Sequence, residues 1–274
     1  MGLLDVKYAL RAVLPAAWLD RVRFRWHQWK FGSVNRRFKQ AHPDVAWPPD
    51  YFVYETYRLN YAEYWADGHT TAGEIISLFK KHGWSTGPVT ILDWGCGPGR
   101  VLRHLATLLP EESLILGADY NPQYVAWCRA NLDGITAVEH PLAPPLPLHD
   151  AVCDAVFGLS ILTHLDASSQ QSWLCELYRI TKPGGLVLLT THGVRFRDKL
   201  SAAEQVCFDQ GKLVVREQGK EGHRIFASFQ PKVWMEAQVA QAGWSVVDWI
   251  AGGSPSSIHG EQDTWVLRRP LEPA

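Results

Sequence analysis

The chain has 274 residues, of which 46% are hydrophobic and 20% are charged. These proportions are typical of a folded globular protein, and the length suits one domain with an extension. The net charge of −1 excludes a protein whose whole surface attracts nucleic acid. No apolar run reaches the roughly 18 residues that a membrane-spanning helix needs. The five cysteines lack metal-site or redox spacing, which predicts reduced thiols in a cytoplasmic protein and no bound metal.

The first 40 residues are the basic part of the chain. They hold nine lysines and arginines against two acidic residues, whereas residues 41–274 hold 18 against 26. This asymmetry suggests an anionic partner for the basic end, such as a membrane surface. Tryptophan with arginine is typical of a helix in a membrane interface, although Pro15 interrupts the apolar pattern here. The alternatives are a protein partner or a second subunit. No recognition motif for nucleic acid accompanies the basic residues, so we expect none, and the oligomeric state stays open.

Residues 41–67 are rich in proline, tyrosine and tryptophan. Prolines at positions 43, 48 and 49 break any long helix there. The composition changes at about residue 68. We therefore interpret residues 1–67 as a basic and aromatic extension or lid, and residues 68–274 as a separate domain.

From residue 68 onward, predicted helices and strands alternate. Strands are predicted at 89–94, 113–118, 135–138, 153–159 and 186–191, with helices at 70–82, 100–109, 122–132 and 168–180. This alternation implies a parallel sheet with right-handed crossovers. Residues 195–230 are predicted to form a β-hairpin insertion, before a helix at 231–242 and strands at 244–250 and 264–267. The fold class is therefore α/β, a doubly wound, mostly parallel seven-stranded sheet with a late antiparallel addition.

A glycine-rich bend joins the first predicted strand to the next helix. Gly95, Gly97 and Gly99 alternate with other residues, which lets the backbone turn tightly and approach a ligand closely. In a doubly wound sheet, ligands bind beyond the carboxyl ends of the strands. Asp119 closes the second predicted strand, where a carboxylate can accept hydrogen bonds from the hydroxyls of a ribose. A dinucleotide oxidoreductase is disfavoured, because its third glycine would fall at position 100 and the residue there is Arg100.

These motifs resemble those of the class I S-adenosylmethionine-dependent methyltransferases, over roughly residues 68–268. Residues 93–99 match the first motif of that family, and residues 117–122 match its second-strand acid and the following helix. Residues 154–157 resemble the fourth strand. Residues 176–185 match the segment that leads into the fifth strand of the small-molecule methyltransferases. The resemblance implies that residues 68–274 are a catalytic domain that binds S-adenosylmethionine and releases S-adenosylhomocysteine.

The resemblance also implies a role for each matching residue. The glycine motif would lie under the methionine part of the cofactor, Asp93 would orient its amino group, and Asp119 would hold the ribose hydroxyls. Tyr120 would flank the adenine. The full set of cofactor-binding residues implied in this way is Asp93, Gly95, Cys96, Gly97, Gly99, Asp119, Tyr120, Leu142, Ala143 and Ser160.

One departure from the family concerns the adenine. Many relatives have an aspartate at the adenine contact, where this chain has Leu142 and Ala143. No carboxylate is present there to accept from the adenine amino group. We therefore expect backbone carbonyls to accept that hydrogen bond instead.

Methyl transfer is a displacement in which the protein mainly supplies position and electric field. A weakly acidic hydroxyl acceptor profits from a general base. His192 and His164, which follow the fifth and fourth predicted strands, are the catalytic candidates; His259 and Asp263 precede the last strand and are further ones. The aromatic residues of the extension can attract the sulfonium by cation–π contact, or can simply pack as a cover on the sheet.

The function expected from the sequence is methyl transfer to a small-molecule or glycan-type acceptor at oxygen. Two alternatives remain open. One is an N-methyltransferase that acts on an amine, peptide or protein. The other is a cofactor-binding protein without catalytic activity.

Overall fold

The computed structural model describes residues 16–84, 87–216, 221–222 and 226–271. The chain divides between Asp67 and Gly68 into two compact units. Part of the apolar pattern near the N-terminus, including Pro15, lies outside the described residues. No helix in the described ranges combines the length and the apolar character needed to cross a membrane.

The N-terminal unit is built from helices. Helix α1 spans Ala16–Ala41, α2 spans Asp50–Tyr57, and α3, Tyr61–Lys81, begins in this unit. Phe24 of α1 packs with its ring centroid 5.3 Å from that of Tyr51 and 5.2 Å from that of Tyr54. The hydroxyl of Tyr54 also donates to a carboxylate oxygen of Asp20 at 3.0 Å. The core of this unit consists of Val53, Tyr54, Leu59, Tyr61 and Tyr64.

Helix α3 begins at Tyr61, well before the residue 70 that the sequence pattern indicates. The reason is a cap: the side chain of Asn60 accepts a hydrogen bond from the backbone N–H of Glu63 at 3.3 Å. An asparagine in this position satisfies a helix N–H that otherwise has no partner. The cap therefore starts the helix ahead of its strongly amphipathic part.

The second unit contains the sheet. Its first part runs through β1 (Thr90–Trp94), α4 (Leu102–Leu105), β2 (Leu114–Asp119), α5 (Pro122–Asn131), β3 (Ile135–Glu139), β4 (Cys153–Gly158), α6 (Ala167–Ile180) and β5 (Thr181–Thr191). Its second part runs through α7 (Ala202–Asp209), β6 (Val214–Arg216), β7 (Ala227–Phe229), α8 (Lys232–Gln241), β8 (Ser245–Ile250) and β9 (Asp263–Arg268). Two short 3₁₀ helices, Leu162–His164 and Val194–Lys199, follow β4 and β5.

The main sheet has seven strands in the order β3-β2-β1-β4-β5-β9-β8. Strands β1 to β5 pair in parallel, and β9 pairs antiparallel with both β5 and β8. The predicted fold class is thus confirmed, including the late antiparallel strands. Strands β6 and β7 form a separate antiparallel pair within the predicted insertion. The strand order reverses between β1 and β4, which is where a doubly wound sheet opens a crevice for a ligand.

Side chains of the central strands are buried on both faces of the sheet. Leu92 and Trp94 contribute to the core on one face, and Ile91 contributes to the core on the other. This burial fits the short apolar sequences of these strands. Side chains cap two helices of this unit: Asn121 accepts from the N–H of Gln123, and Asp166 accepts from that of Ser169.

Three elements differ from the sequence predictions. Helix α4 is a single turn, Leu102–Leu105, instead of a helix over 100–109. Strand β5 begins at Thr181, because the Pro-Gly-Gly segment continues the strand through a shift in register against β4 instead of preceding it. Helix α7 was not predicted. It begins with a capping box in which Ser201 and Glu204 satisfy each other's backbone N–H groups.

Candidate cofactor site

The glycine bend between β1 and α4 adopts a backbone that side chains disfavour. The φ angles of Gly95, Gly97 and Gly99 are +78°, +52° and +73°, all in the left-handed region. A Cβ atom at Gly95 would collide with the side chain of Ile161, and one at Gly99 would lie 2.5 Å from Cδ1 of Leu132. Glycine is therefore required at these positions by conformation and by space.

Asp119 joins this bend to the end of β2. Its Oδ2 accepts from the N–H of Gly97 at 2.8 Å, and its Oδ1 accepts from the N–H of Asn121 at 2.8 Å. A carboxylate has about four acceptor positions, so both oxygens can still accept from hydroxyls of a ligand. The two sequence signals, the glycines and the acid, thus meet in one place.

A cavity lies at this edge of the sheet. Its walls are mostly apolar and aromatic with a few polar groups, as is typical of sites for small molecules. The lining residues are Trp94, Gly95, Asp119, Tyr120, His140, Leu142, Ile161, His164, Leu165, Trp173 and Gly222.

Two buried acids give this region an unusual electrostatic character. Burial raises the pKa of Asp93 to about 8; the nearby charge of Asp119 adds to the increase, and Arg100 opposes it. Burial also raises the pKa of Asp119 to about 6, although backbone N–H groups of Asn121 and Gly97 stabilise its charged form. Two acids held away from water favour a ligand that carries positive charge.

The two histidines predicted to act as bases lie beyond β4 and β5. Nδ1 of His164 is 2.8 Å from the carbonyl of Phe226, and Nδ1 of His192 is 3.1 Å from that of Ser228. Because a carbonyl can only accept, each Nδ1 carries the proton, and Nε2 of the neutral ring holds a lone pair. Burial lowers the pKa of His192 to about 4, so its ring is neutral at neutral pH. Of the two, His164 lines the cavity.

Ser160 directly follows β4 in a strained conformation. Its φ of +63° is rare for a residue other than glycine. Its N–H donates to Oγ1 of Thr190 at 2.7 Å, and its Oγ accepts from Nε2 of Gln262 at 2.8 Å. Strain that the surroundings enforce is often found at functional sites.

The remaining predicted residues occupy different surroundings. Cys96 is buried beneath the bend, and Ala143 is exposed outside the cavity wall. His259 lies in the loop between β8 and β9. Asp263 accepts from the N–H of Gly252 at 2.8 Å and from Nε1 of Trp249 at 3.4 Å, so its carboxylate holds that loop in place.

Six lining residues were absent from the predicted site: Trp94, His140, Ile161, Leu165, Trp173 and Gly222. His140 directly follows β3. It could have been predicted by the rule that identified Asp119, since residues that follow parallel strands lie at the edge of the sheet where ligands bind. Trp173 comes from α6, and its Nε1 donates to the carbonyl of Leu142 at 3.0 Å. Gly222 comes from the insertion, and its carbonyl accepts from the hydroxyl of Tyr120 at 3.1 Å. These last two contacts depend on tertiary structure and leave no local signal.

Comparisons with known proteins agree with this geometry. Residues 91–185, from β1 into β5, match the family model described as a methyltransferase domain. This match, with the relatives described below, supports a class I S-adenosylmethionine-dependent methyltransferase domain in this part of the chain. A solved S-adenosylmethionine-dependent methyltransferase from Mesorhizobium loti shares the fold of this domain with a TM-score of 0.55 at 15% identity, covering 70% of this chain and 96% of that chain.

Two curated relatives resemble parts of the methyltransferase domain. A probable S-adenosylmethionine-dependent methyltransferase of Mycolicibacterium smegmatis is 31% identical over 102 residues, which are 37% of this chain and 37% of that protein. The malonyl-[acyl-carrier protein] O-methyltransferase of Hahella chejuensis is 28% identical over 151 residues, which are 49% of this chain and 52% of that protein. The chain thus spans about a third to a half of the length of these relatives.

The residues of the methyltransferase domain fit S-adenosylmethionine. At Gly97 a Cβ would meet no atom within 4 Å, so the backbone of the bend borders open space there, which allows close approach of a ligand. Asp119 offers acceptors for ribose hydroxyls, and the buried acids suit the positive charges of the amino and sulfonium groups. The aromatic wall formed with Tyr120 and Trp173 suits a planar base.

We predict that Asp93→Asn stabilises the ligand-free protein at alkaline pH. The pKa of Asp93 is raised from 3.8 to about 8 in the folded state, so the folded state binds this proton more tightly than the unfolded state does. The stabilisation that results is lost as the pH rises from 3.8 toward about 8. The variant has no such loss, so its free energy of unfolding at about pH 9 should exceed that of the wild type by at least ~1.4 kcal/mol, which corresponds to one pKa unit. Denaturant unfolding across this pH range measures the difference.

The matched control for this prediction is Glu139→Gln, which changes an exposed carboxyl group opposite Asp119 in the register of β2 and β3. This variant should follow the wild type at every pH. Parallel curves of stability against pH for Asp93→Asn and the wild type would show that Asp93 ionises normally.

Proposed function

We propose that the protein is a methyltransferase that uses S-adenosylmethionine to methylate a small-molecule or glycan-type acceptor at oxygen. The proposal rests on one observation: the carboxylate of Asp119, which lines the cavity, accepts a hydrogen bond from the N–H of Gly97 at 2.8 Å. It joins the glycine bend and the ribose-binding acid in a single site. When bound, the cofactor supplies an electrophilic methyl group on a sulfonium.

The residues of the cavity then have distinct tasks. Asp119 accepts from the ribose hydroxyls, and Asp93, in its charged form, attracts the cationic amino group. Tyr120 and Leu142 line the cavity on the adenine side, and their exposed parts cover the base. The mostly apolar walls exclude water, which strengthens these electrostatic contacts.

We predict that Asp119→Ala weakens the binding of S-adenosylhomocysteine by roughly a hundredfold, since charge-assisted hydrogen bonds contribute about 1.5–3 kcal/mol each. Isothermal titration calorimetry on the full chain measures this affinity. Glu139→Ala removes a neighbouring exposed carboxylate and should leave it unchanged. Tight binding of NAD by the wild type, without a response to S-adenosylmethionine or S-adenosylhomocysteine, would refute the proposed function.

The acceptor side supports transfer to oxygen. His164 and His192 each have a protonated Nδ1, fixed by a carbonyl, and an Nε2 that can accept a proton or hydrogen bond. His164, His259 and Lys199 all lie close enough to His192 to lower its pKa electrostatically. The relative from Hahella chejuensis is itself named an O-methyltransferase.

We predict that His164→Ala and His192→Ala each lower turnover by about a hundredfold, the smaller end of the range for general-base catalysis. The measurement is consumption of S-adenosylmethionine in a screen of hydroxyl, carboxyl and amine acceptors, followed by a pH profile with the best acceptor. His149→Ala is the control, because His149 is an exposed histidine outside the cavity wall. Binding of S-adenosylhomocysteine should stay normal in all three variants.

Unchanged turnover and an unchanged pH profile in both test variants would exclude a histidine base. Methylation of amines alone in the acceptor screen would favour the N-methyltransferase alternative.

We also propose that helix α1 contacts an anionic phospholipid surface. The side that packs in its own unit includes Asp20, Phe24 and His27. The opposite side shows four exposed apolar residues at helical spacing, with exposed fractions of 50%, 47%, 50% and 82% for Trp18, Val22, Trp26 and Trp29. Phe24 belongs to the packed side and is not part of this apolar face.

Basic residues border this apolar face on both sides. At about 100° per residue, Arg21 and Arg25 lie along one border, and Arg23, Lys30 and Arg37 lie along the other. All five are exposed. Tryptophan flanked by arginine is the composition of helices that lie in the interface of an anionic membrane. All five cysteines are free, which supports a reducing compartment and hence the inner face of a cytoplasmic membrane.

We predict that the full chain sediments with vesicles of phosphatidylcholine and phosphatidylglycerol, and that the double substitution Trp26→Ala and Trp29→Ala abolishes this binding. Binding should weaken with salt and without the anionic lipid, because the arginines contribute electrostatically. Leu114→Ala removes an exposed apolar side chain of the other unit and serves as the control. Equal recovery of the wild type and of a chain lacking residues 1–40 in the supernatant would refute membrane contact.

A further inference from the structure

A buried histidine, His140, lies two residues before Leu142, the position where the family has an acid. We propose that Nε2 of His140 accepts a hydrogen bond from the exocyclic amino group of the adenine of S-adenosylmethionine. This inference rests on the proposed function. It replaces the expectation that backbone carbonyls alone take over the role of the missing carboxylate near Leu142.

His140 is fixed at the base of the cavity. It directly follows β3, and its backbone N–H donates to the carbonyl of Asp119 at 3.3 Å, which ties it to the ribose-binding acid. Its ring lies with its centroid 5.0 Å from that of Trp173, at an interplanar angle of 71°. The residue is only 7% exposed, yet it lines the cavity. The backbone and the ring of His140 are therefore fixed beside the cavity, and a ligand needs only to displace the atoms that cover Nε2.

The hydrogen bonds of the ring determine which nitrogen is free. Nδ1 lies 2.6 Å from the carbonyl oxygen of Pro141, so Nδ1 must be the donor. The other nitrogen, Nε2, is buried and has no hydrogen-bond partner within the described parts of the chain. Burial also lowers the pKa of His140, which favours the neutral ring. The neutral ring then presents a bare lone pair at Nε2.

A buried acceptor without a partner is costly and calls for a donor. On its Watson–Crick edge, adenine offers one donor, the exocyclic amino group, beside an acceptor, N1. The lone pair of Nε2 is complementary to the amino group and repels the ring acceptor. The backbone carbonyl of Leu142 already accepts one hydrogen bond, from Nε1 of Trp173 at 3.0 Å, whereas Nε2 of His140 accepts none from the described residues. The geometry therefore favours His140 over that carbonyl as the group that distinguishes adenine from other purines.

The test compares three ligands: S-adenosylhomocysteine, its analogue with unsubstituted purine in place of adenine, and its analogue with hypoxanthine. The wild type should bind the purine analogue about tenfold more weakly, because Nε2 would stay buried without a donor. The hypoxanthine analogue should bind more weakly still, because its carbonyl oxygen would face the lone pair. Calorimetry on the full chain gives the affinities.

His140→Phe should bind S-adenosylhomocysteine and the purine analogue with equal affinity, whereas His140→Gln, which retains an acceptor, should recover part of the preference for adenine. A loss of folding in a variant would weaken both ligands together, and the melting temperature reveals it. A wild-type measurement then decides the matter: the ¹⁵N resonance of Nε2 should shift on addition of S-adenosylhomocysteine and should shift less with the purine analogue.

The outcomes separate the two proposals. A wild type that binds none of the three ligands contradicts the proposed function. A wild type that binds S-adenosylhomocysteine and the purine analogue equally well, or a His140→Phe variant that keeps the full preference for adenine, overturns the role of His140 and leaves the proposed function intact.

Discussion

The hydrogen bond between the backbone N–H of Gly97 and the carboxylate of Asp119 is the contact on which the site depends. It joins the ends of two neighbouring parallel strands, so the sheet itself sets its position. The bend can approach the acid only because its glycines adopt positive φ angles. The same carboxylate accepts from the N–H of Asn121, which caps α5, so one side chain organises both the bend and the following helix. The cavity is a consequence of this arrangement.

The arrangement of the site lowers the stability of the ligand-free protein, and this loss of stability is consistent with a site that binds a ligand. Burial raises the pKa of both Asp93 and Asp119, and Ser160 is held in a left-handed conformation. Each of these features is unfavourable without a ligand. A cationic ligand that satisfies the two acids would recover part of this free energy on binding. Stability and affinity are therefore coupled at the same residues.

The sequence was sufficient for most of the fold, because short apolar strands alternate with amphipathic helices and because Asn121 and Asp166 mark helix starts. It was also sufficient for the glycine bend and Asp119, since their chemistry depends on positions next to strand ends. The position of His140 after β3 could also be read from the sequence, but its proposed role could not, because that role depends on a buried nitrogen without a hydrogen-bond partner among the described residues. The exposed face of α1 was equally inaccessible: both Trp18 and Phe24 fit a helical pattern, and only the packing against α2 decides which of them is covered.

Gly222 gives the insertion an unusual relation to the cavity. A Cβ at this position would lie 2.6 Å from Cδ1 of Leu142, so position 222 meets the wall through its main chain. Its carbonyl accepts from the hydroxyl of Tyr120, and its N–H donates to the carbonyl of His164. Any larger residue at position 222 would therefore force either Leu142 or the insertion to move away from this part of the wall.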